Sequence, residues 1–267
     1  MRLRGSTVLL TGATGGLGHA VARALHRQGA QLVLTGRRAD LLAVLGDELG
    51  ARTLTADLSR RADTERLALE AADVDVLIAN AALPASGRLL ELTQAEIDVM
   101  LAVDLRAPIA LAHALAPAMA ARGGGHIVLI SSLAGKAATP GGSIYSAAKF
   151  GLRGFAHAAR ADLRGSGIGV SVVMPGFIRE AGMFADTGVK LPRGVGTSSP
   201  EQVAAGVIAA IEHNRAEVSI APLAVRAGAS LAAVTPSAVA TMQRLLGARR
   251  VASRVAERQR AKRPAGG

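Results

Sequence analysis

The sequence predicts an α/β protein: a doubly wound, mainly parallel sheet of seven strands with helices on both faces, in a single domain. Short β-branched apolar runs alternate along the chain with longer stretches rich in alanine and leucine. The short runs are apolar at most positions, which is typical of strands buried between two helical layers. The length of 267 residues, half of them hydrophobic, suits one large domain.

Seven apolar runs are predicted as strands, and they lie at 6–11, 31–35, 52–56, 74–79, 126–131, 169–174 and 217–221. The stretches between them are long enough for crossover helices. One such helix is expected to begin near Ala20 and to end before Gly29, because glycine commonly stops a helix. Segment 177–200 has four glycines, two prolines and no periodicity, which indicates a mobile lid. A helix is predicted to follow it from Pro200.

Composition excludes several kinds of site. The chain has no cysteine and its six histidines show no ligand spacing, so we expect neither disulfides nor a metal site. The formal charge is +11, but residues from Arg244 onward hold eight Arg/Lys and one acid, Glu257, and contribute +7 of it. The remaining +4 is ordinary for a soluble domain. We expect no signal peptide and no membrane span, and therefore a cytoplasmic location.

Polar residues, glycine and proline follow five of the predicted strands. Gly12, Asp57, Asn80, Ser132 and Pro175 each lie just past a strand end. Ligands of open parallel sheets bind beyond the carboxyl ends of the strands. These five positions are therefore expected to line a single crevice.

The segment TGATGGLG, residues 11–18, lies between the first strand and the following helix. Glycines allow a tight turn and let backbone N–H groups approach a phosphate, whose charge a helix N-terminus favours. The alternative is a tight strand-to-helix connection without a ligand, but the position after the first strand favours phosphate binding. The glycines fit two spacings, TGxxxGxG with Gly16 and TGxxGxxG with Gly15.

Both spacings resemble the short-chain dehydrogenase/reductase family, in its shorter single-domain branch and its extended, epimerase-like branch respectively. The chain is too short for the extended branch's usual substrate domain, which favours the shorter branch. ADL at 56–58, ANAA at 79–82 and PG at 175–176 resemble further family motifs, so the likeness runs over residues 6–222. It implies a Rossmann-like fold and an NAD(P)-dependent oxidoreductase. It assigns to the cofactor Gly12, Thr14, Gly15, Gly16, Leu17, Gly18, Arg37, Arg38, Asp57, Leu58, Asn80, Ala81, Ala82, Tyr145, Lys149, Pro175, Gly176 and Ile178.

The end of the second strand indicates which nicotinamide cofactor is bound. A carboxylate there would bond the ribose hydroxyls of NAD and repel the phosphate of NADP. This chain has Gly36, then Arg37 and Arg38, whose guanidinium groups suit a 2′-phosphate. A solvated, charged helix start is the alternative, but the first turn of a helix normally favours acids. We expect NADP rather than NAD, with Thr14 as a further donor.

The chain's single tyrosine, Tyr145, has Lys149 four residues later and Ser132 thirteen residues earlier. Hydride transfer to a ketone requires one group that protonates the oxygen and another that stabilises it. Lys149 shares a helix face with Tyr145 and is expected to lower the pKa of its phenol. Ser132 is expected to bond the substrate oxygen, whereas Ser131 should point to the other face of the sheet. Each residue alone has a structural explanation: the tyrosine as a core residue, the lysine as a solvated neighbour and the serine as the end of a strand. Their occurrence together in a chain that also has a phosphate-binding loop favours a catalytic role.

Two positions depart from the family pattern. Asp104 stands where the resemblance places a fourth catalytic residue, an asparagine. An ionised aspartate only accepts hydrogen bonds, and it could raise the pKa of Lys149 or merely satisfy backbone groups where a helix bends. Our hypothesis is that Asp104 is tolerated at some cost in rate. Glu180 stands where relatives commonly have a cofactor-bonding threonine, and pairing with Arg179 or Arg193 is favoured over cofactor contact.

The substrate is expected between the loop at 133–144, which contains many small residues, and the lid. Phe177, Met183, Phe184 and Leu191 make the lid apolar. This composition indicates a bulky apolar ketone or alcohol, and lid packing without a substrate role is the alternative.

Domain organisation and partners follow from these assignments. We expect a dinucleotide-binding catalytic domain at 1–222, with its lid at 177–200, and a helical and basic extension at 223–267. The resemblance implies a homodimer or homotetramer. The basic segment 248–263 is interpreted as a disordered solubilising tail. Contact with an anionic membrane surface is the alternative. Nucleic-acid binding is not expected, since no aromatic residues lie between the charged ones. A non-enzymatic NADP sensor or scaffold is the rival function, and chain length disfavours an epimerase or dehydratase.

Overall fold

Seven strands form the central sheet: β1 (Thr7–Thr11), β2 (Gln31–Gly36), β3 (Arg52–Thr55), β4 (Val76–Ala79), β5 (Gly125–Ile130), β6 (Ile168–Pro175) and β7 (Glu217–Ile220). All pair in parallel, in the order β3-β2-β1-β4-β5-β6-β7. Each strand lies within two residues of its predicted bounds, which confirms the predicted fold class. This computed structural model describes residues 1–84, 87–189, 196–235, 237 and 257–258.

Eight α-helices accompany these strands in the described residues: α1 (Gly16–Arg27), α2 (Ala39–Leu49), α3 (Arg61–Glu70), α4 (Gln94–Leu101), α5 (Ala107–Ala121), α6 (Ser143–Asp162), α7 (Pro200–Glu212) and α8 (Leu223–Val234). Helix α1 begins at Gly16, four residues before the predicted start at Ala20, because the glycine loop leads directly into its first turn. Helix α7 begins at Pro200 as predicted, and a capping box between Ser199 and Gln202 stabilises its start.

The helices cover both faces of the sheet. Side chains of successive strand residues point to opposite faces, so Leu9 packs in one apolar cluster while Val8 and Leu10 pack in the other. The first cluster contains residues of α3, α5 and α6, among them Leu67, Leu111 and Leu152. The second contains residues of α1, α2 and α7, among them Val21, Leu42 and Val207. The site residues are thus mounted on strands that are anchored from both sides.

One helical run in the described part of the chain, Gln94–Ala121, is long and apolar enough to cross a membrane by length and composition alone. It consists of α4, a π-helical turn at Ala102–Arg106 and α5. Half of its most apolar 18-residue stretch is buried inside the protein, where Leu111, Leu115 and Met119 pack in the core. This packing is that of a core helix.

The strand order reverses between β1 and β4, which are neighbours in the sheet but not in sequence. The chain passes from one half of the sheet to the other in the connection from β3 to β4. Such a reversal of strand order opens a crevice at the carboxyl ends of the two strands. The strands β1, β3, β4 and β5 end immediately or within two residues before Gly12, Asp57, Asn80 and Ser132, and β6 ends at Pro175 itself. The predicted polar positions therefore share one edge of the sheet.

Candidate active site

The glycine loop after β1 is tightly folded, and three of its glycines cannot carry a side chain as placed. Gly12 has a positive φ of 67°, and a Cβ there would lie 2.7 Å from the Cα of Ala81. A Cβ on Gly18 would collide with the carbonyl oxygen of Gly12. A Cβ on Gly16 would lie 2.6 Å from the Cβ of Ala181, whereas one on Gly15 meets only an ordinary contact. Steric need at 12, 16 and 18 favours the TGxxxGxG spacing.

The start of α1 is electrostatically suited to an anion. Its N-cap, Gly15, offers no side-chain hydrogen bond, and the first turn contains no acidic residue. The first N–H groups of a helix lack intrahelical acceptors and carry a partial positive charge. The loop therefore presents backbone donors to the crevice.

Asn80 and Thr11 tie the ends of β4 and β1 together. The Asn80 Nδ2 donates to the carbonyl oxygens of Thr11 at 3.0 Å and Gly12 at 3.2 Å. The buried Thr11 hydroxyl accepts from the backbone N–H groups of Asn80 at 3.0 Å and Ala81 at 2.9 Å. Asn80 thus holds the shape of the glycine loop. Thr11 was missed as a site residue, although its place at the end of the first strand, before the glycines, was a usable signal.

The two arginines after β2 differ in their surroundings. Arg38 reaches back to the glycine loop, where its Nη2 donates to the Thr14 carbonyl oxygen at 2.6 Å. The Arg37 side chain is exposed. Gly36 lies against Thr14, since a Cβ there would be 3.0 Å from the Thr14 Oγ1. The end of β2 thus brings positive charge beside the loop without a carboxylate.

The remaining predicted cofactor positions also lie along this edge. The Asp57 Oδ1 accepts from the Ser59 backbone N–H at 3.0 Å and the Ser59 hydroxyl at 2.8 Å, and Leu58 beside it is buried. The Gly176 N–H donates to the Ile220 carbonyl oxygen at 2.9 Å. Three further predicted positions, all on segments described above, are Leu17 in the first turn of α1, Ala82 after β4 and the buried Ile178 after β6.

Tyr145, Lys149 and Ser132 come together where β5 ends and α6 begins. The Lys149 Nζ lies 5.5 Å from the centroid of the Tyr145 ring and donates to the Ile130 carbonyl oxygen at 3.3 Å. The Ser132 hydroxyl donates to the Pro175 carbonyl oxygen at 3.4 Å, and it lies close enough to the Tyr145 phenol to affect its pKa. The buried Ser131 hydroxyl donates to the Lys149 carbonyl oxygen of the same helix, α6, at 2.9 Å. The three side chains predicted to be catalytic are therefore neighbours.

The pKa of Tyr145 is opposite to the prediction. Burial of the phenol and the nearby carboxylate of Asp104 raise its pKa to about 12, and the neighbouring Ser132 hydroxyl only partly offsets them. Burial also lowers the pKa of Lys149, against the influence of Asp104. The predicted lowering is wrong for this arrangement because desolvation disfavours both the phenolate and the ammonium. At neutral pH, Tyr145 is a protonated phenol.

Asp104 is completely buried in the π-helical turn between α4 and α5. Its Oδ1 accepts the Leu83 backbone N–H at 2.7 Å, while its Oδ2 has no hydrogen-bond partner. Burial raises the pKa of the carboxyl group to about 6, although Lys149 and the Leu83 bond act in the opposite direction. Asp104 therefore satisfies a backbone group, that of Leu83 after β4 rather than one at the helix bend, and its charge opposes the lowering of the Lys149 pKa by burial.

The lid begins with a strained, charged turn and continues with aromatic side chains. Glu180 has a positive φ of 71° and pairs with Arg179 at 2.7 Å between Nε and Oε1, as predicted. The rings of Phe177 and Phe184 pack with their centroids 4.9 Å apart. Two predicted lid residues, Leu191 and Arg193, lie outside the described residues, as do positions 190, 192, 194 and 195 of the lid.

A cluster behind the site was not found from sequence. Glu217, at the start of β7, binds Lys136, Arg153 and His157 through its two carboxylate oxygens. Burial alone would raise the pKa of Glu217, but hydrogen bonds from these three side chains outweigh it and lower the pKa to about 2. Lys136 belongs to the loop that follows Ser132, so this Glu217 cluster anchors that loop to the sheet. Its members are far apart in sequence and show no motif.

Comparison with known proteins gives consistent similarities. The family model described as short chain dehydrogenase matches residues 6–190. Ketoacyl reductase HetN from Nostoc sp. is 38% identical over 227 residues, which cover 82% of this chain and 79% of that protein. The structure of a short-chain dehydrogenase from Sphingobium yanoikuyae in complex with NADPH aligns with a TM-score of 0.74 and 30% identity, covering 89% of this chain and 95% of the other. That of the bulky-bulky ketone specific alcohol dehydrogenase from Comamonas testosteroni aligns with a TM-score of 0.70 and 25% identity, covering 80% and 85%.

Proposed function

The chain belongs to the short-chain dehydrogenase family and is an NAD(P)-dependent oxidoreductase, and on that premise we propose that it uses NADP(H) to interconvert a ketone or aldehyde and an alcohol. One observation carries the proposal: the Tyr145 phenol lies beside Ser132 and is flanked by Lys149 at the carboxyl edge of the sheet. A phenol beside a hydroxyl can protonate and steady a carbonyl oxygen at the same time.

The residues around the glycine loop fit a dinucleotide. Side chains at Gly12 and Gly18 would collide with the backbone of Ala81 and of Gly12, so the loop can fold tightly only with glycine there. The start of α1 offers uncapped N–H donors for a pyrophosphate. Asp57, Leu58 and Asn80 would extend the binding surface along the strand ends. When bound, the nicotinamide supplies or accepts the hydride.

Tyr145 holds the proton of the reaction. Because burial raises its pKa to about 12, the phenol is protonated at neutral pH and ready to give a proton to a carbonyl oxygen. The Ser132 hydroxyl donates to the same oxygen and keeps it within reach. Lys149, buried beneath the tyrosine ring, provides a positive charge for the phenolate that remains.

Arg37 and Arg38 support NADP over NAD. They follow a strand end that lacks a carboxylate, and Arg38 already lies on the glycine loop through its bond to Thr14. A 2′-phosphate would meet two charge-assisted donors there. The NADPH complex of the Sphingobium relative agrees with this choice.

The lid and the relatives support an apolar carbonyl substrate. The rings of Phe177 and Phe184, which pack at a tilt of 58°, and the partly buried Met183 give the lid an apolar surface. Relatives are named as a ketoacyl reductase and as an alcohol dehydrogenase specific for bulky-bulky ketones. We therefore propose a ketone flanked by bulky apolar groups as the substrate.

We also propose that residues 1–222 form the catalytic domain. Its proposed assembly is a homodimer or homotetramer, and light scattering would measure which of the two forms.

Titration with NADPH and NADH, followed by a turnover screen over ketones and alcohols, tests the proposed function. We expect tighter binding of NADPH and turnover of apolar ketones. NADPH binding without turnover of any ketone or alcohol would favour the sensor or scaffold instead. A clear preference for NADH would refute the role given to Arg37 and Arg38.

Replacement of the only tyrosine provides the most specific check of the catalytic assignment. Tyr145→Phe should bind NADPH within a few-fold of wild type but lose roughly 100-fold or more in kcat/KM, because the proton donor is gone. Calorimetry measures the first quantity and NADPH absorbance the second. Activity within ten-fold of wild type would remove Tyr145 from the mechanism.

A further inference from the structure

A residue close to the C-terminus, Arg258, lies against the lid. The Arg258 Nη1 donates to the Thr187 carbonyl oxygen at 3.0 Å, a contact between positions 71 residues apart in sequence. The same nitrogen would lie 3.3 Å from a Cβ on Gly188. The guanidinium group therefore packs on the backbone of the lid at Thr187 and Gly188.

The contact is made at the end of a helical turn. A short 3₁₀ turn of the lid runs over Ala185–Thr187, and Gly188 ends it in the left-handed conformation with a φ of 62°. The last carbonyl groups of a helical turn have no partners within it, and basic side chains commonly donate to them. A hydrogen bond from a guanidinium group is charge-assisted and stronger than one between neutral groups. Arg258 thus stabilises the end of this turn.

Thr187 links the contact to the aromatic side chains of the lid. Thr187 is buried, and its hydroxyl donates to the Phe184 carbonyl oxygen at 2.7 Å. Its backbone N–H donates to the same oxygen at 3.0 Å. Phe184 directly precedes the turn, and its ring packs on that of Phe177. A displacement of Thr187 would therefore also displace the aromatic pair.

The base of the lid is fixed by separate contacts. The Ser198 N–H donates to the Phe177 carbonyl oxygen at 2.9 Å, and the Arg179 N–H donates to the Ser198 carbonyl oxygen at 3.0 Å. Ala181 lies on the glycine loop, since a Cβ on Gly16 would be 2.6 Å from its Cβ. None of these bonds involves the 3₁₀ turn. Loss of the Arg258 contact should therefore loosen the turn and leave the base of the lid in place.

We propose that Arg258 is a positioning residue of the lid, whose hydrogen bond to Thr187 holds the 3₁₀ turn and, through it, the aromatic pair Phe177 and Phe184 that limits the width of the substrate site. The effect on substrate rests on the proposed function, which assigns the lid to substrate binding. Arg258 acts through the backbone of the lid and takes no part in proton or hydride transfer.

Hydrogen exchange of the full-length protein tests the contact without any substrate. The Thr187 and Gly188 amides donate to the carbonyl oxygens of Phe184 and Ala185. In Arg258→Gln they should exchange roughly five-fold or more faster than in wild type, because local opening of the turn becomes easier. Arg258→Lys should stay nearer to wild type, since an ammonium group can donate to the same carbonyl. Unchanged exchange in Arg258→Gln would overturn the proposal.

Arg122→Gln is the matched control. Arg122 also donates to backbone carbonyl oxygens, those of Ala72 at 2.9 Å and Val74 at 2.5 Å, but it does so before β4, at the edge of the sheet opposite to the lid. This variant should lose thermal stability and keep the lid exchange of wild type. Equally fast lid exchange in both variants would indicate a general loss of stability and contradict a specific role of Arg258.

Kinetics with two ketones of different size test the consequence for the substrate. For a bulky apolar ketone, Arg258→Gln should raise KM roughly five-fold or more and change kcat much less, because apolar contacts with the aromatic pair are lost. The KM of a small ketone and the affinity for NADPH should stay close to those of wild type, and Arg258→Lys should restore part of the difference. Equal changes in KM for both ketones, or none for either, would contradict control of the site's width by Arg258. Absence of turnover in wild type would instead refute the proposed function, and hydrogen exchange would still decide whether Arg258 holds the lid.

Discussion

At the level of single residues, Asp104 shows how one exchanged atom alters the surroundings of the proposed catalytic pair, Tyr145 and Lys149. Its buried carboxylate helps to raise the pKa of Tyr145 and opposes the lowering of the Lys149 pKa by burial, and one of its oxygens has no hydrogen-bond partner. An asparagine would keep the oxygen that accepts from Leu83 but would carry no charge. The negative charge therefore makes the phenol a weaker acid than the same fold would otherwise provide, and the tolerance of Asp104 at some cost in rate stays a prediction.

Asp104→Asn should lower the pKa of Tyr145. The acceptor for Leu83 is retained, while the charge that opposes the phenolate is removed. The chain has one tyrosine and no tryptophan, so the ultraviolet difference spectrum of the phenolate reports this residue alone. We expect the phenol to ionise at lower pH in the variant. The rate of alcohol oxidation, which needs the phenolate as the base, should therefore begin to rise at lower pH as well. Loss of all turnover in Asp104→Asn would contradict tolerance of the aspartate.

Arg37 and Arg38 should separate by their effects on the two cofactors. Arg37→Ala should weaken NADPH binding by about ten-fold or more, because a charge-assisted bond to the 2′-phosphate is lost, and leave NADH nearly unchanged. Arg38→Ala also removes the bond to the Thr14 carbonyl oxygen, so it should weaken both cofactors. Calorimetric titration of both variants measures these ratios, and equal losses for NADPH and NADH in Arg37→Ala would contradict a phosphate contact.

At the level of elements, the loop after β5 depends on side chains from other parts of the chain. Its first turn is capped by Ser132, whose hydroxyl accepts the Ala134 N–H at 3.2 Å. Further along, the nearly buried Lys136 is held by Glu217 of β7 and donates to the Ser219 hydroxyl at 3.3 Å. The Glu217 cluster therefore fixes a loop that lines the proposed substrate site, and it does so from outside the site.

Lys136→Met should loosen this loop while α6 remains in place. We expect kcat/KM for a ketone to fall roughly ten-fold with little change in NADPH affinity, since misplacement of the serine affects substrate more than cofactor. Arg153→Met is the matched control, because Arg153 binds the same carboxylate at 2.7 Å from α6 rather than from the loop. Both variants should lose thermal stability. A kinetic defect of equal size in both would assign the cluster to stability alone.

At the level of the whole molecule, buried titratable groups make stability depend on pH in opposing ways. His126 is buried in β5 with its Nε2 2.8 Å from the Ser171 hydroxyl, and burial lowers its pKa from 6.5 to about 4. Its contribution to stability is present above pH 6.5 and is lost as the pH falls toward 4. Asp104 has the opposite sign, because its raised pKa means that stability is lost as the pH rises from 3.8 through about 6.

Replacement of His126 should flatten the acid side of the stability curve. The free energy of unfolding of wild type should fall by about 3 kcal/mol more than that of His126→Gln between pH 6.5 and pH 4, since 2.5 pKa units correspond to roughly that energy. Urea unfolding at several pH values measures the difference. Parallel curves for the two proteins would show that His126 is not held neutral in the folded state.

The sequence by itself determined the α/β class, the seven strands, the glycine loop and the association of Ser132, Tyr145 and Lys149. These features rest on local periodicity, on glycine chemistry, and on the rule that parallel strands end at one edge. Their signals lie within short segments of the chain, so no distant contact was required to find them.

Only the tertiary structure decided the raised pKa of Tyr145, the Glu217 cluster and the contact of Arg38 with Thr14. Each depends on burial or on residues that are distant in sequence. Desolvation is a property of the surrounding packing and not of the side chain, which is why a pattern that placed Lys149 beside Tyr145 correctly still gave the wrong direction for the phenol's pKa.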